Sequence, residues 1–514
     1  MNLTPFARPG FILRARRTDA WAERGVDIQN RVLRSLLKRA ANTQIGNTYD
    51  FKEISHSNNP GVIFASRVPA TGYEEIRADV IRMVHGERDI LWPGRCMNYA
   101  QSSGTSGGRS KYIPITPDSL NKCHYPGAAD CVAHYLRVNP KSRIFSGKAF
   151  VLGGSFASEL VPSDPRVRIG DLSATLIKRI NPLANHFRIP DMKTALLPDW
   201  LEKLPALVKA SSHANVTNLS GVPSWFLTVI KGVMAERGVD KISDVWPNLE
   251  VFFHGGISFE PYRDIYTAIT DPAKMHFMET YNASEGFFAV QNDPADRSML
   301  LIIDNDIYYE FIDISKPGAD AVPMSDVEPG KVYELLISSS NGLWRYHLGD
   351  TVRVESVNPV KITISGRTKT FINAFGEELM EDNAEKAMAA AARKHGATVA
   401  NYTAAPVYAT EGSRGRHQWL VEWHTPPKDI KAFADSLDRE LRKLNSDYDA
   451  KRSHTLFLDP PEVIGLPEGT FNRWLRSVGT GKLGGQRKVP RLSNDRLIAD
   501  AILKQFSKYQ YPTI

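Results

Sequence analysis

The run Ser102-Ser103-Gly104-Thr105-Ser106-Gly107-Gly108-Arg109-Ser110-Lys111, followed by Tyr112-Ile113-Pro114-Ile115, decides how this chain is read. Small hydroxyl residues and glycines let backbone N–H groups approach phosphate oxygens closely, and the closing lysine adds a point charge, so the run is expected to grip phosphate. It is not a Walker loop, because GxxxxGK[ST] would need Gly-Lys where Arg109-Ser110 stand. Gly104 to Gly108 formally fits the GxSxG elbow of serine hydrolases. That elbow requires a helix after the serine, and the extended run through Pro114 forbids one.

Outward from this run, the apolar residues Ile28, Leu33, Val32, Leu36 and Leu37 recur at helical spacing, predicting that an amphipathic helix over Asp19–Ala41 opens the chain, with Gly46 ending the pattern. A second helix is predicted over Tyr73–Val84. Downstream, short apolar runs alternate with helical ones. Strands are expected at Ala149–Leu152, Val216–Leu219, Leu249–Phe253 and Lys274–Met278, and a helix at Trp225–Arg237. Alternation of this kind argues for an α/β layer with chemistry on the loops after strands. From Met299 to Ser365 successive strands, including Ile307–Ile314 and Tyr333–Ser338, read as an antiparallel sheet or small barrel. Beyond Gly366 a helix over Glu377–Lys394, strands at Thr398–Tyr402 and Gln418–Trp423, and a helix over Asp429–Leu444 indicate a smaller α+β domain.

Bulk composition narrows the class. The 514 residues are 42% hydrophobic and 24% charged, ordinary for a globular protein and too many for one comfortable core. Lys plus Arg number 64 against 57 for Asp plus Glu, and this +7 is spread thinly rather than gathered into a basic block, so no nucleic-acid partner is expected. The nearest cluster, Arg8, Arg14, Arg16 and Arg17, reads as a solvated surface. Cys96, Cys123 and Cys131 form neither a disulfide framework nor a zinc pattern. With no signal-peptide core and no run near ~18 apolar residues, a cytoplasmic protein without a membrane partner is expected.

Three further motifs carry candidate chemistry. Tyr281-Asn282-Ala283-Ser284-Glu285-Gly286 follows a predicted strand, where a carboxylate can hold Mg2+ and a tyrosine can offer a face to a purine. Trp344-Arg345-Tyr346-His347-Leu348-Gly349-Asp350 places an aspartate beyond a glycine turn, suited to ribose hydroxyls. Gly366-Arg367-Thr368-Lys369 reads as a hinge, with Arg367 able to reach ribose or phosphate.

These motifs, in this order, resemble the signature of the adenylate-forming superfamily of acyl-activating enzymes. Ser-Ser-Gly-Thr-Ser with Lys111, Tyr281-x-Ala283-Ser284-Glu285 and Gln486-Arg487-Lys488-Val489-Pro490-Arg491 are most similar to the auxin-responsive GH-three family of acyl acid amido synthetases, over about Ala40 to Arg491. Plant members usually carry arginine where His347 stands and a lysine near Gly376, whereas Gly376-Glu377 looks like bacterial relatives.

The resemblance implies a large N-terminal domain, 1–366, binding ATP and acid through α/β sheets and a β-barrel-like part, and a smaller mobile α+β lid, 367–514. It implies adenylation of a carboxylic acid with release of pyrophosphate, then attack by an amino acid's amine. Ser102, Ser103, Gly104, Thr105, Ser106, Gly107 and Lys111 would hold phosphates, Tyr281, Ala283 and Ser284 would border the nucleotide, and Asp350 and Arg367 would hold the ribose end. Glu285 would carry Mg2+ and assist catalysis. Lys488, with Lys482 as competitor, would supply the cation brought in by the lid. The acid would lie against Val222, Pro223, Trp225, Gly255 and Gly256, with Phe226 as a further wall, and His254 is a candidate base for the amine. An acyl-CoA synthetase shares the first step, and a non-catalytic nucleotide-binding regulator is the alternative from another class. The oligomeric state is not legible.

Overall fold

The N-terminal residues form two helices where periodicity predicts one. The computed structural model describes residues 2–102, 110–156, 158, 160–316, 318–367, 371–409, 414–453, 458–477 and 489–507. A helix Thr4–Arg16 precedes the expected one, which runs Trp21–Ala40. Leu33, Leu36, Leu37 and Ala40 form its fully buried stripe. Gly46 does not end it, for it lies inside a further short helix, Gln44–Thr48, capped by the Thr43 hydroxyl. Of the basic cluster only Arg16 is the exposed residue expected; the other three are partly buried and engaged. Arg8 donates to the carbonyls of Leu136, Asn139 and Ser142, while Arg14 and Arg17 sit 2.7 Å and 3.1 Å from Asp130, which is 1% exposed. These contacts fasten the first helix to the helix Tyr125–Val138.

Two compact units are present, one of Met1–Ser102 with Lys111–Thr368, the other holding Lys369–Ile514. In the first, β1 (Asn98–Ser102) and β2 (Lys111–Pro114) pair antiparallel, with Ser102 opposite Lys111. β3 (Lys148–Val151) comes next, and then β4 (Arg168–Gly170), which pairs with β1. β5 (Arg188–Ile189), β6 (Val216–Gly221), β7 (Val251–His254) and β8 (His276–Ala283) join β3 in a parallel array ordered β5-β3-β6-β7-β8. Every residue of β7 is buried, as befits a parallel strand covered on both faces. The crossover from β6 to β7 is the helix Pro223–Arg237, with Pro223 in its first turn and Gly238 at φ 64° ending it.

At β8 the sheet changes character. It is parallel to β7 and antiparallel to β9 (Gly286–Val290). β10 (Met299–Leu301), β11 (Ile307–Asp313), β12 (Val322–Pro323), β13 (Val332–Ser339), β14 (Leu343–Val357) and β15 (Val360–Arg367) continue the same sheet as an antiparallel extension. Its order is β12-β11-β13-β14-β15-β10-β9-β8-β7-β6-β3-β5. Two motifs sit differently from their predicted settings. Tyr281–Ala283 are the last residues of β8 rather than a loop after it, and Ser284-Glu285 turn the chain into β9. Gly349-Asp350 is no turn. The register between β13 and β14 slips there, and Gly349, at φ 83°, belongs to a bulge inside one long strand.

The second unit has β16 (Phe371–Ile372) and β17 (Leu379–Met380) as a short hairpin, followed by β18 (Thr398–Val407), β19 (Arg416–Thr425) and β20 (Glu462–Leu466) in one sheet. The helix predicted from Glu377 begins at Glu381, because Glu377 instead accepts the N–H groups of Ala374 and Phe375 and His417 Nε2 within the hairpin loop. Helix Ile430–Leu444 is capped by Asp429. Tyr402, Trp419, Val421, Phe433 and Leu437 pack the core between.

Candidate functional site

The parallel strands end together. Gly221 of β6 pairs with His254 of β7, and His254 with Glu279 of β8, so the segments after these residues share the carboxyl edge of the sheet, where ligands of open α/β sheets bind. Val222 caps the helix that follows β6, and a Cβ on Gly256, at φ 83°, would lie 3.4 Å from its Cγ2. A Cβ on Gly255 would overlap the Thr280 carbonyl, so glycine there lets the turn lie flat against β8. The Thr280 hydroxyl donates to the His254 carbonyl at 3.1 Å. The structure therefore brings Val222, Gly255 and Gly256 together.

The other proposed walls divide. Pro223 is buried, its carbonyl accepting the Tyr266 hydroxyl at 2.7 Å. Trp225 is half-buried, edge-on to Trp200 at 5.7 Å. Phe226 is no wall: it is fully buried between Phe150 and Phe252 in the core. His254 is 2% exposed and stacks on Phe259 at 4.1 Å, and burial, aided by the Arg263 charge, pushes its pKa down to about 3. Such an imidazole stays neutral but is too weak a base to take a proton from an ammonium group.

Across the seam, the Tyr281 hydroxyl donates to Asp350 Oδ2 at 2.6 Å, joining two motifs that lie 69 residues apart. The bulge in β14 positions Asp350 here, opposite Arg367 of β15 in the ladder. Glu285 is 8% exposed at the hairpin tip. The side-chain amide of Asn341, buried in the turn between β13 and β14, donates to the Ser284 and Glu285 carbonyls at 3.2 and 3.0 Å. Sequence reading missed Asn341, although Asn341-Gly342 between two apolar runs is a hairpin signal. His347 pairs with Glu334 at 3.0 Å, and that hydrogen bond raises its pKa.

Also missed is Lys203, 4% exposed, which donates to the Gly153 carbonyl at 2.6 Å and so fixes the loop after β3 on the same edge. Burial lowers its pKa to about 8. The polar Gly153-Gly154-Ser155 run directly after a predicted strand was the available signal.

Of the phosphate run, Ser102 ends β1 and Lys111, 8% exposed, begins β2. A strand, not the helix of a hydrolase elbow, therefore follows the run. Ser103, Gly104, Thr105, Ser106 and Gly107 lie outside the described residues, as do Lys482 and Lys488. Arg491, next in the last motif, pairs with Glu385 at 2.8 Å and covers the Tyr402 ring. Among the described residues no helix is long and apolar enough to cross a membrane.

The GH3 family N-terminal domain matches residues 14–187, the GH3 family central domain residues 300–367 and the GH3 family C-terminal domain residues 382–497, between them more than half of the chain. The chain is similar to the indole-3-acetic acid-amido synthetase GH3.4 of Arabidopsis thaliana, with 24% identity over 550 residues, covering 90% of this chain and 88% of that one. GH3.8 of Oryza sativa subsp. indica is 24% identical over 549 residues, covering 90% and 87%. Among solved structures, the GH3.15 acyl acid amido synthetase superposes with a TM-score of 0.55 at 19% identity, covering 94% of this chain and 93% of that chain. A 2-hydroxyisobutyryl-CoA ligase, in complex with 2-HIB-AMP and CoA, does so at 0.54 and 14% identity, covering 95% and 93%. At these identities the structural likeness is one of fold.

Proposed function

This chain belongs to the GH3 family, and from that premise we propose that it is an ATP-dependent acyl acid amido synthetase. It converts a carboxylic acid and ATP into an acyl-adenylate and pyrophosphate. The amine of an amino acid then attacks the acyl carbonyl, forming the amide and releasing AMP. The observation that carries the reading is the match of N-terminal, central and C-terminal family domains in order along one chain.

Each step sets the residues a charge problem. Bringing a carboxylate to the α-phosphate opposes like charges, so the phosphate run, with Lys111 at its end, holds the leaving pyrophosphate while Lys488 or Lys482 offsets the anions. Asp350 takes the ribose hydroxyls, Tyr281 and Ala283 border the adenine beside Ser284, and Arg367 stands at the ribose end. Mg2+ needs no protein cage, since it keeps waters and takes one or two carboxylates plus substrate phosphates. Glu285, buried at the hairpin tip, is the carboxylate that would hold it. The ion, when bound, offsets phosphate charge. The acid lies along Val222, Pro223, Trp225, Gly255 and Gly256, residues 1–366 are the domain that binds ATP and acid and residues 367–514 the lid domain, and the enzyme works in the cytoplasm on small molecules.

Acid-dependent exchange of labelled pyrophosphate into ATP tests the reading. Exchange with at least one aryl or alkyl acid is expected, and abolished by Glu285→Ala; no exchange with any acid would refute adenylation. Mass spectrometry with amino acids or CoA as acceptors then distinguishes an amide from a thioester.

A further inference from the structure

Lys203 belongs to none of the sequence motifs, yet it is held 4% exposed on the helix Trp200–Ser211. Taking an ammonium group out of water is costly unless acceptors meet it. Lys203 Nζ meets two, the carbonyls of Gly153 at 2.6 Å and of Gly154 at 3.4 Å. Two successive carbonyls converge on one cation because the loop after β3 runs through a confined space. A Cβ on Gly153 would overlap Ile177 Cδ1, and one on Gly154 would overlap the Asp171 carboxylate.

On one side this loop reaches the proposed acid walls. The Leu152 N–H donates to the Ser220 carbonyl at 3.2 Å, and a Cβ on Gly221 would lie 3.4 Å from Leu152 Cβ. Gly221 precedes Val222, whose Cγ2 faces Gly256. The helix that carries Lys203 also brings Trp200 edge-on to Trp225 at 5.7 Å, with the ammonium 5.8 Å from the Trp200 ring centroid. One helix thus braces both walls.

On the other side the loop is tied to β4. The Ser155 N–H donates to Asp171 Oδ2 at 2.6 Å, the Asp171 N–H to the Ser155 carbonyl at 2.9 Å, and the Gly154 N–H to Ser173 Oγ at 2.8 Å. Asp171 directly follows β4, which lies beside β1 with Gly170 opposite Ala100, and β1 ends at Ser102, where the phosphate run begins. The loop is therefore a joint between the strand from which the phosphate run departs and the strand ends that carry the acid walls. Asp171 and Ser173 hold its β4 side, while Lys203 grips the carbonyls on its acid side.

We propose that Lys203 is a positioning residue for the acid substrate: by locking Leu152–Ser155 to the helix Trp200–Ser211 it fixes the walls at Val222 and Trp225, and so governs the fit of the acid rather than of ATP. This rests on the amido synthetase reading and adds to it a residue that acts through the loop. Without the ammonium the Gly153 and Gly154 carbonyls lose a charged donor, and Leu152 no longer holds Gly221 and Val222 in one place.

The test compares the unaltered protein with Lys203→Met in pyrophosphate exchange at varied acid and at varied ATP, using benzoate, phenylacetate, hexanoate and octanoate. The acid KM is expected to rise about tenfold or more, because hydrogen bonds from charged groups are strong and small displacements of a bound reactant are amplified, while the ATP KM stays within about twofold. Lys203→Gln, which keeps an N–H donor, should fall between the two and serves as the second variant should Lys203→Met not fold. A folded variant with an unchanged acid KM, or with the ATP KM raised as much as that of the acid, overturns the proposal, the second pattern being that of general loosening. Exchange by the unaltered protein with none of these acids counts against adenylation instead. Calorimetric titration of the full-length proteins with the same acids then decides: weaker binding to the variant supports the role of Lys203, and equal binding, or binding to neither, overturns it.

Discussion

Asp350 is where a single side chain can be tested most sharply. It is 8% exposed and accepts the Tyr281 hydroxyl at 2.6 Å, so its carboxylate is oriented before any nucleotide arrives. Hydrogen bonds to a charged acceptor contribute about 1.5–3 kcal/mol. Asp350→Asn is therefore expected to raise the KM for ATP by about tenfold or more, with a much smaller change in the KM for the acid. Tyr281→Phe keeps the ring and loses only the bond that orients the carboxylate, an effect that reaches the nucleotide indirectly, so a smaller rise, of about fivefold, is expected. Steady-state exchange kinetics at varied ATP check both. An acid KM that moves as much as the ATP KM would mean that Asp350 does not serve the nucleotide. Both residues were visible in the sequence as separate motifs. Their meeting was not, because Gly349-Asp350 has the composition of a turn and only the neighbouring strand shows that it is a bulge.

At the scale of elements, the hairpin β8–β9 is held from two directions, by the π-helical turn Leu120–His124, where Cys123 Sγ accepts the Phe287 N–H at 3.2 Å, and by the β13–β14 turn through Asn341. That second turn is itself pinned, since the Thr116 hydroxyl donates to the Ser340 carbonyl at 2.7 Å. Asn341→Ala removes both donors and leaves two carbonyls at the hairpin tip without them. A loss of about 1–3 kcal/mol in stability is expected by chemical denaturation, together with reduced exchange as Glu285 loses its support. Unchanged stability with full exchange would show that the tip holds itself. Helix Tyr73–Val84 matches its predicted span, and Pro223 and Gly238 mark the ends of helix Pro223–Arg237, because local signals suffice there. The amide of Asn341 reaches across 57 residues to Ser284, and no local pattern encodes that. Arg14 and Arg17 were misread for the same reason: their partner Asp130 sits more than a hundred residues on.

Over the whole molecule, alternating strand and helix patterns were enough to give an α/β layer, whereas the placement of β10 between β15 and β9, which makes one continuous sheet, depends on pairings between distant segments. Burial on this scale has a consequence for acid stability. His124, His134 and His254 are each at most 2% exposed, and burial pushes their pKa values down to about 4, 4 and 3. For His134 the charges of Arg137 and Arg17 add to the effect. In the unfolded chain a histidine titrates near 6.5. Between these values the unfolded state binds more protons, so stability is fully present above about pH 6.5 and is lost as pH falls toward the folded pKa. Each such histidine steepens the loss by up to about 1.4 kcal/mol per pH unit within its window. His134, which lies in the helix Tyr125–Val138 outside the candidate site, isolates the effect. His134→Leu is expected to show a shallower decline of Tm between pH 6.5 and 4 than the unaltered protein, whatever its Tm at pH 8. Parallel declines would mean that His134 takes up a proton in the folded state as readily as in the unfolded chain, and that the buried arrangement of the helix against Thr4–Arg16 does not persist in acid.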